Sequence, residues 1–556
     1  MKRRFFTQAK SYFRPLAWAL LIASVSLMTS CEDPLPGGDE EGEGTSTPTP
    51  TPSVQVSEVI NWMDQRLKKE YYWMDEYNQK HGNFDLSLKW DEFLDKTLLS
   101  LRTNGDDGNV DHKGKRYLYS YVHRTPSTKA LDATRASLPT VTGYGIEPSP
   151  YIVGASSIDG YEEGDCCFVI EHTYSGSPAA NAGLRRGDVI LKADGKKITD
   201  ATYEDIWDRI LAASQGSTTL SVRVFNDKTE KYEFKDVSLT TSTYEQNPIA
   251  FYDLLNVDEK YFDIGDKKIG YLSYLSFDGE FDDALVDAFT YLSGKGVTDM
   301  ILDLRANSGG HVTSSVLMAS MLLDESYVGE DKVYARLKHN QDNTVYHDQD
   351  ITLEKDYKPS GASAKVDLPN IGIKKLWLIC SENTASASEM VIVGLRGLDV
   401  EVTLVGNQTE GKNCGMEVTY ETFDGYEYEF APITFMNENG KGFSDYGDGI
   451  IPETHLAEKA NDKSLKKNLR DMCSYYPIPL TVWGDTESDI ALVETVKQIC
   501  GESLFDSSSS KAYKPRHMVT RSGGSAMVER TPIKMERRDL ASRGLIVREG
   551  DFEYFK

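Results

Sequence analysis

The chain has 556 residues, with 61 Lys and Arg against 87 Asp and Glu, for a formal net charge of −26. At roughly 100 to 200 residues per domain, that length predicts three or four domains. The acidic surplus excludes nonspecific nucleic-acid binding, which needs a basic surface to neutralise phosphates; 39% hydrophobic and 10% aromatic residues supply packed cores and exclude both a wholly disordered chain and a multi-span membrane protein.

The N-terminus sets the expected compartment. Lys2, Arg3, Arg4, Lys10 and Arg14 precede the mostly apolar run Leu16–Met28, too short for a spanning helix, and residues 1–30 read as a signal peptide. The run ends Leu27-Met28-Thr29-Ser30-Cys31, which resembles a bacterial lipobox. That resemblance implies a lipid anchor on Cys31 and a place in the bacterial cell envelope, at the outer membrane, on its periplasmic or surface face. An ordinary secretory signal with a chance cysteine is the competing reading; the Pro/Gly/acid stretch directly after Cys31 favours the lipoprotein. Residues 31–53 lack apolar periodicity and are expected to be a flexible tether.

Residues 54–141 are expected to form a helical N-terminal domain: Val56, Val59, Ile60, Met63 and Leu67 recur at helical spacing, followed by Tyr71-Tyr72-Trp73 and a second segment at Trp90, Phe93, Leu94, Leu98 and Leu99. From 142 to 245 the texture is short strands and glycine turns. Here Gly143-Tyr144-Gly145-Ile146 precedes Ser177-Pro178-Ala-Ala-Asn-Ala-Gly183-Leu-Arg-Arg-Gly187-Asp188, in which Pro178 opens a short helix and Gly183 ends it. This stretch resembles a PDZ domain of the bacterial, circularly permuted kind. The resemblance implies that the Gly143, Tyr144, Gly145, Ile146 loop offers backbone N–H groups to a peptide C-terminal carboxylate, with the peptide added to the sheet edge.

Residues 250–485 alternate strand and helix, the mark of an α/β domain. Three blocks in it carry chemistry. Thr298–Arg305 is a buried strand followed by Ala306-Asn307-Ser308-Gly309-Gly310 and an apolar helix from Val312, a turn that leaves N–H groups at a helix start where negative charge is stabilised. Leu376–Cys380 is a second buried strand, leading through Ser381–Glu389 into a helix, with Ser386 as candidate nucleophile; taken alone, Ser386 or Ser388 reads first as an N-cap, and it is the company of the other blocks that makes Ser386 a candidate. Val402–Gly406 leads to the loop bearing Lys412. A lysine serves as general base only when neutral, which needs a pKa about 3 below the usual ~10.4, worth about 4 kcal/mol.

In this order, together with Ile269–Phe277 and Gly449-Ile450-Ile451-Pro452, the blocks resemble the C-terminal processing peptidases, or tail-specific proteases. The resemblance covers roughly residues 142–452. It implies a multidomain α/β protein: helical N-terminal domain, PDZ-like β-rich domain and crotonase-like α/β protease core. It also implies Ser386 as nucleophile, Lys412 as general base, and Gly309 with the N–H of Ala387 as oxyanion hole. The expected partners are protein or peptide substrates held by the C-terminus. One departure stands out: where the family often has a glutamine that orients the lysine, this chain has Met416, leaving Asn413 or Glu389 as substitutes. A catalytically impaired peptide-binding PDZ lipoprotein is therefore the alternative function.

The six cysteines beyond Cys31 fit no zinc spacing, so neither metal nor cofactor is expected; Cys473 and Cys500 are a candidate pair in an exported protein. Residues 486–556 read as a C-terminal extension, partly disordered or weakly docked, with 11 basic and 6 acidic residues from Lys511 onward.

Overall fold

The computed structural model describes residues 56–102, 107–110, 114–126, 140–153, 164–211, 215–226, 228–229, 231–478, 481–506, 530–532 and 545–548. The expected signal peptide, the expected lipid-anchor residue Cys31, the expected tether and most of the basic tail lie outside the described residues.

The α/β core is built on a six-stranded sheet, ordered Ile249–Leu254, Ile269–Tyr274, Asp299–Asp303, Lys375–Cys380, Glu401–Gly406 and Thr454–His455. The first strand is antiparallel to its neighbour and all the others run parallel. A parallel sheet is covered on both faces, and alternate side chains divide accordingly. Leu272, Met300, Leu302, Leu376, Leu378 and Leu404 enter one core with helices Val312–Leu322 and Ala387–Gly397; Tyr271, Ile301, Trp377, Ile379 and Val405 enter the other.

That second core corrects the boundary expected at residue 485. Helix Ile490–Ile499 buries Ala491, Leu492, Val493 and Val496 against the sheet, so the segment just after 485 is a layer of the core. It is pinned by Asp489, whose carboxylate accepts the N–H groups of Ala491 and Leu492 and pairs with buried Arg305 at 2.8 Å. Further on, Leu545–Arg548 lies as a parallel strand between Gly310–His311 and Cys414–Phe423 in an eight-stranded sheet, so this part of the tail is integral as well. Cys473 and Cys500 form no disulfide.

The helices Glu58–Glu70, Met74–Lys80 and Trp90–Leu98 do not close a core of their own. Ser57 caps the first, accepting the Ile60 N–H at 3.2 Å, and the apolar stripe Ile60, Met63, Leu67 meets Met416, Phe430 and Ile546. Three short helices have too little facing surface to bury such stripes alone, and strands from the far end of the chain supply the rest.

The PDZ-like sheet is ordered Lys231–Thr240, Ser217–Asn226, Val189–Ala193, Cys166–Thr173, Ile146–Val153 and Arg530–Pro532, with Lys196–Lys197 beside Val189–Ala193. Helix Tyr203–Leu211 covers it through Ile206, Trp207 and Ile210. Ser177 caps helix Pro178–Asn181 and Gly183 takes φ 74° after it.

Replacing Asp489 by Ala is expected to lower stability by about 3–5 kcal/mol, because it leaves Arg305 buried with only Asp303 as partner. Urea unfolding of the two proteins measures the difference.

Candidate active site

The glycine turn and the serine turn are tied together by Asn307. Its Nδ2 donates to Tyr274 O (2.9 Å), its Oδ1 accepts the Gly309 N–H (2.8 Å), and its backbone O accepts both Ala385 N–H (3.2 Å) and Ser388 Oγ (3.0 Å). Gly310 is held at φ 140° with the position of a Cβ only 2.1 Å from Phe277 O, so no larger residue fits. Two more side chains cross the same gap: Ser381 Oγ donates to Arg305 O (2.6 Å) and Thr384 Oγ1 to Leu304 O (2.9 Å).

Ser386 stands at the N-cap position of helix Ala387–Gly397 with φ 61° and ψ −113°. For a non-glycine residue such a conformation costs on the order of 1–3 kcal/mol, and it persists only where the surroundings enforce it. Its Oγ is buried and has no hydrogen-bond partner among the described residues. Ser388, the other serine considered, commits its hydroxyl to Asn307. The Ala387 N–H, first in the helix, meets no backbone acceptor among the described residues.

One carboxylate binds the serine turn to the lysine loop. Glu389 Oε2 accepts Ser386 N–H (2.8 Å) and Lys412 N–H (2.9 Å), while Oε1 accepts Thr409 Oγ1 (2.6 Å) and Gly411 N–H (2.8 Å). Sharing one oxygen, the backbone nitrogens of Ser386 and Lys412 lie within about 6 Å of each other. Burial pushes the Glu389 carboxyl up to about 7, against the donors from Thr409, Ser386 and Gly411 that hold it down. Lys412 is itself buried; loss of hydration lowers its pKa, opposed by Cys414, Asp107, Glu410 and Glu389 nearby. Its Nζ lies over the Tyr119 ring, 4.5 Å from the centroid. An unpartnered hydroxyl on a strained turn, a buried amine, and an N–H at a helix start make a set able to carry nucleophilic acyl transfer.

The sequence-predicted residues thus fall into two groups. Ser386, Ala387, Gly309 and Lys412 gather around Asn307 and Glu389. Gly309 differs in one respect: its N–H is engaged by Asn307 Oδ1 in this structure. Gly143, Tyr144, Gly145 and Ile146 sit in the PDZ-like sheet, where Tyr144 O accepts Ala179 N–H and Gly145 O accepts Tyr174 N–H. Gly145 has φ 75°, and a Cβ there would come 2.1 Å from that of Ser177. Tyr144 also lines a cavity of about 490 Å³ beside Arg209 and Ile210 of helix Tyr203–Leu211. Val153 N–H donates back to Asp165 O, so by strand alternation Pro148, Pro150 and Ile152 face the outer edge of Ile146–Val153, where Arg530–Pro532 already pairs with Tyr151–Val153. Pro148 and Pro150, on the part of the edge that remains, carry no N–H, which shortens the ladder any further strand can make. Asn307, Tyr119 and Asp107 have structural roles at the site that the sequence did not announce, and Glu389, expected as a substitute orienter of Lys412, joins the backbones of the serine turn and the lysine loop.

Replacing Glu389 by Gln is expected to destabilise the fold by about 2–5 kcal/mol, since an amide NH2 then faces two of the four donors. Urea titration checks it.

Peptidase family S41 matches residues 268–456, and a PDZ domain pattern matches residues 169–224. The chain is 31% identical over 362 residues to the chloroplastic C-terminal processing peptidase of Tetradesmus obliquus, covering 63% of this chain and 68% of that one. It is 24% identical over 282 residues to a CtpA-like serine protease of Staphylococcus aureus, covering 50% of this chain and 48%, about half, of the relative. A structure described as an S41 protease of Bacteroides fragilis superposes with a TM-score of 0.54 at 21% identity, over 79% of this chain and 97% of that one, a likeness of fold.

Proposed function

The chain belongs to Peptidase family S41, the C-terminal processing peptidases, and is a serine peptidase with a PDZ domain acting on proteins or peptides; within that family we propose that it is a membrane-anchored endopeptidase using a Ser386/Lys412 dyad. The observation that carries the reading is the Glu389 oxygen shared by the Ser386 and Lys412 backbone N–H groups.

In the proposed reaction, neutral Lys412 Nζ takes the proton of Ser386 Oγ as the oxygen attacks the scissile carbonyl carbon. The carbonyl oxygen becomes an oxyanion that Ala387 N–H receives; Gly309 N–H joins once it turns from Asn307 Oδ1. Collapse breaks the C–N bond, and the leaving amine takes the proton back from the Lys412 ammonium. Water, deprotonated by Lys412 Nζ, then attacks the acyl ester; the ester C–O bond breaks, and Lys412 returns the proton to Ser386 Oγ, leaving a carboxylic acid and free serine. The PDZ domain holds the substrate's C-terminus at Tyr144, Gly145 and Ile146. A lipid on Cys31 would keep the body at the bacterial cell envelope, at the outer membrane.

The buried thioether at Met416 favours the second reading, a peptide-binding scaffold that does not cleave. Cleavage of an unstructured polypeptide with an apolar C-terminus separates the two. Ser386→Ala and Lys412→Ala are each expected to lose at least about 10³-fold in kcat while still binding peptide; a wild type no faster than either variant establishes the scaffold. The base works only when unprotonated, so kcat/KM of the wild type should rise with pH through the lowered lysine pKa and reach its plateau below the usual lysine range.

Gly145→Ala, which drives a methyl into Ser177, is expected to raise KM for C-terminal substrates several-fold with kcat for short peptides little changed, as read from steady-state kinetics.

A further inference from the structure

Neither substitute orienter expected from the sequence reaches the lysine amine. Asn413 Nδ2 donates to Ser444 O (2.8 Å), and Glu389 holds the Lys412 backbone. Met416 is fully buried in the apolar cluster shared with the N-terminal helices. Among the described residues, no hydrogen bond or ion pair is made by Lys412 Nζ; the group that faces it is the Tyr119 ring.

That ring is itself fixed from both ends. Its hydroxyl donates to Glu410 Oε1 (3.2 Å), which also accepts Tyr117 OH (3.2 Å) and Asn109 Nδ2 (2.5 Å); Glu410 N–H in turn donates to Thr384 O in the serine turn (3.0 Å). On the other side, Tyr119 N–H donates to Asp107 O (3.4 Å), and the buried Asp107 carboxylate accepts Tyr71 OH (2.7 Å), Ser120 N–H (2.8 Å) and Ser120 Oγ (2.8 Å). Ser120 Oγ accepts Ile433 N–H (2.9 Å), and Ile433 O accepts Tyr72 N–H (2.8 Å). Hydrogen bonds therefore run from the helical layer to the ring over the amine.

Resting on the Ser386/Lys412 reading, we propose that Tyr119 is the positioning residue for Lys412. An aromatic face takes one amine N–H weakly, keeps water off that side and restricts the lysine stem, leaving the lone pair free to meet Ser386 Oγ. An amide oxygen would supply a stronger, directional bond; the ring achieves placement by exclusion. The charged and titratable groups around the amine are Cys414, Asp107, Glu410 and Glu389, and the ring lies among them without ionising.

The test is steady-state cleavage across pH by the full chain carrying Tyr119→Leu, Tyr119→Phe or Tyr119→Ala, with Lys412→Ala alongside. Tyr119→Leu is expected to lose at least tenfold in kcat with KM within twofold, and Tyr119→Phe to recover to within threefold of wild type. Tyr119→Ala, which admits water to Nζ, should move the acid limb of kcat/KM to higher pH. Wild-type kcat and an unmoved limb in both Leu and Ala variants would make the ring ordinary packing and overturn the proposal. An active Lys412→Ala would instead sink the dyad. Should the Leu variant fail to fold, Tyr119→Trp against Tyr119→Met gives the same contrast of π face against plain bulk: kcat kept by Trp and lost by Met supports the proposal, and equal kcat in the two overturns it.

Discussion

Everything at this site depends on one buried carboxylate. Glu389 belongs to the first turn of the serine helix, where negative charge complements the helix dipole, and its side chain turns back to receive N–H groups from Ser386, Gly411 and Lys412. Each of those donors would be costly to bury unmade, so the serine helix and the lysine loop can be brought into the interior only together. Neighbouring parallel strands, Lys375–Cys380 and Glu401–Gly406, deliver the two loops to the same end of the sheet, and the carboxylate fixes their separation.

Asn307 does the corresponding task between the other pair of neighbouring strands. With its amide on Tyr274 and Gly309 and its carbonyl on Ala385 and Ser388, it closes the sheet end where three successive strands terminate. The strained backbone of Ser386 is tolerated because both sides of its turn are clamped in this way. Beneath the turn, Arg305 between Asp303 and Asp489 links the same sheet end to the helix that follows residue 485.

Local chemistry made much of this legible in the sequence. The buried strands, the glycine pair, the serine at a helix start and the loop lysine are each contained in a few consecutive residues, and their order along the chain carries the family. What stayed hidden is non-local. Glu389 is named by the sequence only as a candidate partner of the lysine amine; that it instead gathers the N–H groups of residues 411 and 412 and the Thr409 hydroxyl emerges once that loop is folded onto it. Tyr119 is one of three closely spaced tyrosines, Tyr117, Tyr119 and Tyr121, and nothing near it in sequence announces a lysine almost three hundred positions away. Helix Ile490–Ile499 has the periodicity of any amphipathic helix, and only the second face of the parallel sheet explains why it belongs to the core.

The same non-local packing gives Met416 a physical reason. Its strand, Cys414–Phe423, begins two residues after Lys412 and forms the surface on which the N-terminal helices close, with Leu67, Tyr71 and Phe430 in the same cluster. An amide at 416 would have to be buried in that apolar seam, at a cost of about 1–3 kcal/mol unless fully hydrogen-bonded. A thioether fills the seam without that cost, and the docking of the helices that it permits is what brings Tyr71, Asp107, Ser120 and finally Tyr119 up to the lysine. The residue that departs from the family pattern and the aromatic ring that covers the amine therefore belong to one interface: Met416 keeps the seam under the helices apolar, and the segment that follows the helices carries the ring held over the amine.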